Sequence, residues 1–140
     1  MYHKPCLISQ IAKDINDFID EFESFIDEIS DSVARLTSYE SIFSGNQRFG
    51  NALALMFSEL LQYFRWLRIY VQKNQSIGLR RFLSMHDLRR AAATRYSKIK
   101  DLCARAEKEA QLAGIEAVLT NQRNALNFFD DSRQIRAVDG

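Results

Sequence analysis

Apolar residues near the start of the chain fall at Ile8, Ile11, Ile15, Phe18, Phe22, Phe25, Ile29, Val33 and Leu36, in steps of 3, 4, 3, 4, 3, 4, 4 and 3. That spacing holds one stripe of a helix apolar at nearly the coiled-coil period, with a single stutter. Ile19 and Ile26 widen the stripe beyond a two-helix seam, which favours a bundle. Five glycines and one proline in 140 residues are too few for a chain of strands and turns. Long helices with short connections are the better reading.

The first helix is expected to begin near Pro5 and run to about Thr37, with its acids on the remaining faces. Ser44, Gly45 and Asn46 supply a turn and an N-cap for the next helix. Helix two is expected from about Gln47 to Lys73, with Phe49, Leu53, Met56, Leu60, Phe64, Leu67 and Val71 on one face. Leu55, Phe57, Leu61, Trp66, Ile69 and Tyr70 add apolar surface elsewhere, as expected for the central element of a domain. The segment QSIGLRRFL reads as one or two turns before a break. Ser84 to Asp87 then resembles a capping box that opens helix three.

Helix three carries Leu88, Ala92, Tyr96, Ile99, Cys103, Ala106 and Ala110 at helical spacing, and Gly114 either ends it or weakens it. Ile115, Val118, Leu119, Leu126 and Phe129 form a fourth amphipathic stretch, packing across the third helix or extending it. The expected fold is all-α: an antiparallel helical bundle of three long helices plus a shorter fourth, in one domain over 1–129. Residues 130–140 read as a frayed tail or linker. The core is expected at Ile15, Phe18, Phe22, Phe25, Phe49, Leu53, Met56, Leu60, Phe64, Leu67 and Ile99.

Charge is segregated along the chain. Eight acids and no base lie from Asp14 to Asp31, whereas Arg65 to Lys108 holds twelve bases against three acids. The net charge of +1 therefore conceals a dipolar molecule, and the acidic helix is expected beside part of the basic segment 80–108. Arg80, Arg81, Arg89, Arg90, Arg95 and Lys98 are the candidate surface for an anion, a lipid or a partner. Three uses compete: pairing with helix one, contact with an anionic membrane surface, and nucleic acid. The last is disfavoured by a pI near 7.8 and by the absence of a recognised nucleic-acid motif.

No catalytic, cofactor or metal signature accompanies these charges. His3 and His86 lack a helically spaced partner such as HExxH, and no GxxxxGK[ST] or GxGxxG occurs. The inward positions of helix one are Ile and Phe rather than the Glu of a di-metal bundle. Cys6 and Cys103 belong to no cluster, so a reducing cytoplasmic compartment is expected, with a peripheral membrane location as the alternative. No secretory signal is visible, and Glu59, Arg65 and Arg68 argue against a span over the apolar stretch 52–71.

The stretch LTSYESIFSGNQRFGNALALMFSELLQYFRWLRIYVQKNQSIGLRRFL resembles the N-terminal helical domains of fungal STAND proteins, the NLR-like receptors that carry a NACHT ATPase. The similarity is to the Goodbye-type domain and its relatives. Arg35, Leu36, Tyr39, Glu40, Ile42 and Phe43 match the end of their first helix, and Ala52, Leu53, Met56, Phe57, Leu60, Leu61 and Tyr63 match the second. An IEAVL-like segment recurs at Ile115 to Leu119. The chain departs from those receptors in having no Walker A motif and no NACHT region. The resemblance implies a non-catalytic signalling or programmed-cell-death domain that acts by homotypic or partner-helix contact. A membrane-active bundle using its basic surface on anionic lipid is the alternative.

Overall fold

The computed structural model describes residues 3–74 and 85–139, and apart from a turn at 44–46 all of them are helical. Helix α1 spans His3–Phe43, α2 spans Gln47–Asn74 and α3 spans Met85–Asp139. At 1.5 Å per residue these are rods of about 60, 40 and 80 Å.

The first connection is as tight as its residues suggested. The Asn46 N–H donates to the Phe43 carbonyl at 2.9 Å, and the Phe49 N–H donates to Asn46 Oδ1 at 2.9 Å. Asn46 therefore closes α1 and caps α2, satisfying one of the N–H groups that a helix start leaves open. The first helix continues past the expected end at Thr37 because Tyr39 and Phe43 extend its apolar row onto the core.

Cross-helix pairs show how the rods lie. From α1 to α3, Glu21 meets Arg89, Glu28 meets Lys100 and Arg35 meets Glu107, so the numbers rise together. From α2 to α3, Arg48 meets Glu109, Glu59 meets Lys98 and Tyr63 meets Tyr96, so they run in opposite order. Both α1 and α2 approach α3 more closely than they approach each other. The central element is therefore α3 and not the more apolar α2. Its buried row includes Ala92, Cys103, Ala106, Ala110 and Ala113, whose small side chains let two neighbours come close.

Phe25, Leu36, Phe49, Met56, Tyr63 and Ile99 are among the most deeply buried side chains. Of the expected core, Phe25, Phe49, Leu53, Met56 and Ile99 are buried, and Ile15, Phe18, Phe22, Leu60 and Leu67 are half-buried. Phe64 is the exception at 41 % exposed, and its place is taken by Tyr63. The α2 seam keeps strict heptad steps through 49, 53, 56, 60, 63 and 67, so position 63 faces inward and 64 lies one residue off it.

The separate fourth helix is not found. Residues 115–129 continue α3 without a break, and Gly114 lies inside the helix, where an added Cβ would meet only Phe43 Cζ at 3.5 Å. The helix also runs on through 130–139, the stretch expected to be a frayed tail or linker. The expected short turn at 75–83, with Ser84 of the capping box, lies outside the described residues.

Candidate interaction surface

Charge along the α1–α3 seam is largely matched within the molecule. The Arg89 guanidinium donates to Glu21 twice, from Nη2 to Oε1 at 2.5 Å and from Nε to Oε2 at 3.3 Å. Its Nη1 also lies 3.7 Å from Asp14 and 3.9 Å from Asp17. One part-buried cation thus serves three carboxylates of successive α1 turns. Hydrogen bonding to Glu21 pushes the Arg89 pKa above its ordinary value. Lys100 pairs with Glu28 at 2.8 Å farther along the same seam.

The candidate basic residues are therefore mostly engaged. Lys98 holds Glu59 at 2.9 Å, and the Arg95 guanidinium lies 4.7 Å from the centre of the Trp66 ring, a cation–π contact. Arg90 Nη2 sits 3.1 Å from His86 Nε2 on an exposed face. Arg80 and Arg81 lie outside the described residues. The structure places Arg89, Arg90, Arg95 and Lys98 on the same helix but does not gather them around one site.

Among the described residues no buried side-chain polar atom lacks a hydrogen-bond partner. The hydroxyls of Tyr63 and Tyr96 meet at 2.9 Å, and Phe25 stacks on Tyr96 with centroids 4.1 Å apart. Burial pushes both phenols up from their ordinary value, and the hydrogen bond between them raises Tyr63 further. Burial likewise pushes the Cys103 thiol up to about 11, away from the thiolate range that nucleophilic chemistry needs. Among the described residues no group of His, Cys, Asp and Glu is placed to hold a metal ion, and no helix is long and apolar enough to cross a membrane.

The feature that internal packing does not absorb is the distal half of α3. Ile115, Val118, Leu119, Leu126 and Phe129 are each between 56 % and 65 % exposed. Leu112, Ile115, Leu119, Gln122, Leu126 and Phe129 form one row in steps of 3 and 4 in strict alternation, with Gln122 as the one polar member and Val118 at its edge. At about 100° per residue this row lies roughly 150° around the helix from the row 99, 103, 106, 110 and 113 that packs on α1 and α2. The inner row itself runs on into Ala117, Thr120, Asn124 and Asn127, and so turns polar where the bundle stops.

The plain amphipathic period of 115–129 reads as a packing element, across the third helix or extending it. The change of face after Ala113 is what marks it as unpacked on the bundle. Phe128 and Ile135 are also exposed but stand off this row. Comparison with known proteins adds no relative: no family model, no curated protein and no solved structure matches this chain.

Proposed function

We propose that this chain is a non-catalytic interaction domain: an antiparallel three-helix bundle whose third helix extends as an arm that docks a partner helix. The observation that carries this reading is the exposed apolar row from Leu112 to Phe129, on a helix whose own backbone is already hydrogen-bonded. Contiguous exposed apolar surface rimmed by polar residues marks interaction sites, and an apolar row at heptad spacing suits another helix. The role that fits best is a signalling domain of the kind found at the N-terminus of fungal NLR-like receptors, cytoplasmic and tied to programmed cell death. That assignment rests on the α1 and α2 residues that carry the resemblance.

The competing reading is a bundle that uses Arg80, Arg81, Arg89, Arg90, Arg95 and Lys98 on anionic lipid. Pairing of Arg89 and Lys98 with carboxylates, and of Arg95 with Trp66, weighs against it, because a cation already matched offers less to a headgroup. Co-sedimentation with vesicles of phosphatidylserine and phosphatidylcholine separates the two. The interaction reading expects the protein to stay in the supernatant at low and high salt. Pelleting that needs phosphatidylserine, falls with salt and is lost in an Arg80→Glu/Arg81→Glu/Arg90→Glu variant would replace it with the lipid reading.

A further inference from the structure

We infer that the apolar row of distal α3 is covered by the same row of a second copy of this chain, running antiparallel, with Glu116 of each copy against Arg123 of the other. This deepens the helix-docking reading and rests on it.

The two edges of the row differ in charge. With Leu112, Leu119 and Leu126 at one seam position and Ile115, Gln122 and Phe129 at the other, the flanking residues are fixed by the heptad. One edge is Val118, Ala125 and Ser132, small or apolar throughout. The other edge is Glu116, Arg123 and Asp130, charged throughout. In a parallel pair each charged edge would lie against the partner's uncharged edge, and none of the three charges would find an opposite.

An antiparallel pair sets like edges together. The charged edges then face each other, and so do the small ones, where Ala125 permits close approach. With the two-fold axis near residues 120 and 121, Leu112 packs with Phe129 of the other copy, Ile115 with Leu126, and Leu119 with Gln122. Glu116 then meets Arg123 twice, once on each side of the axis. Asp130 reaches the level of Glu109, whose charge is already balanced by Arg48 at 3.6 Å. The contact is isologous, as a closed dimer requires. The two bundles sit at opposite ends, because α1 and α2 occupy the other face of α3 and end near Gly114, against which Phe43 lies. Gln122 leaves one polar position in the seam, the kind of residue that fixes register and orientation at some cost in affinity.

The test is sedimentation equilibrium of the intact chain at low salt, with four variants. The wild type is expected to show a monomer–dimer equilibrium. Leu119→Asp/Leu126→Asp is expected to be monomeric with unchanged helical content. Glu116→Arg and Arg123→Glu each place like charges at both contacts and are expected to raise the dimer Kd roughly tenfold. The exchanged variant Glu116→Arg/Arg123→Glu restores opposite charges and is expected to return to near the wild-type Kd. Rescue of this kind is not expected from a merely structural effect of either substitution.

A dimer lost in Leu119→Asp/Leu126→Asp but indifferent to the charge exchange overturns the antiparallel pairing and leaves the helix-docking reading standing. A dimer that survives Leu119→Asp/Leu126→Asp overturns the surface itself. A chain that is monomeric up to about 100 μM overturns the second copy as occupant. If that monomer also binds phosphatidylserine vesicles, the helix-docking reading falls with it.

Discussion

Tyr63 of α2 and Tyr96 of α3 share one hydrogen bond of 2.9 Å at a point where Phe25 of α1 packs against both rings. The pair ties all three helices together at a single level and leaves no buried side-chain polar atom unsatisfied among the described residues. Replacing Tyr63 by Phe strands the Tyr96 hydroxyl and is expected to cost about 1–3 kcal/mol. Replacing both removes donor and acceptor together, so the double variant is expected to lose less than the sum of the singles. A urea double-mutant cycle measures the difference, and strict additivity would show that the hydroxyls are not coupled.

The same pair sets an alkaline limit. Both phenols are raised above the ordinary value of 10.0, so the folded chain keeps protons that the unfolded chain gives up near pH 10. The stability these groups contribute is full below pH 10 and is lost as pH rises beyond it. Tyr63→Phe/Tyr96→Phe is expected to flatten the fall between about pH 10 and 12, measured by urea midpoints at fixed ionic strength. An unchanged slope would remove the tyrosines as its cause.

Arg89 is the electrostatic keystone between α1 and α3. Arg89→Glu sets a fourth acid among Asp14, Asp17 and Glu21 and is expected to destabilise the fold by about 1–3 kcal/mol at low salt, with part recovered at 1 M salt as screening sets in. Thermal melts at two ionic strengths read this directly. A loss that is the same at both would point to packing of the side-chain stem instead.

Gly114 lies within a continuous helix and has room for a methyl group, so Gly114→Ala is expected to stabilise the chain by about 0.5–1 kcal/mol. The added methyl would rest at ordinary contact distance from Phe43. A destabilising effect would mean that α3 breaks there after all.

Much of this fold was legible in the sequence because a helix writes its buried face as a period. The α1 seam, the Asn46 cap and the meeting of acidic α1 with the basic start of α3 could all be read from spacing and charge. What spacing left ambiguous was anything decided by one residue of phase or by a neighbour far away in sequence. Phe64 and Tyr63 differ by one position, and only the partner helix determines which turns inward. Gly114 reads equally as a stop or as a weak point, and its fate depends on the packing of Ala110 and Ala113 just before it. Charge set the acidic helix beside the basic segment, but it did not show that Lys98 turns instead to Glu59 of α2, far from it along the chain.

Whether distal α3 is held by contact with another helix is read by hydrogen exchange over residues 115–137. A bare helical extension has no tertiary packing to slow its opening and exchanges quickly. Protection of 115–129 is expected to grow with protein concentration and to disappear in Leu119→Asp/Leu126→Asp, while the α3 core around Ile99 and Cys103 stays protected in both. Fast exchange over 115–129 at every concentration, with the core still protected, would contradict that contact.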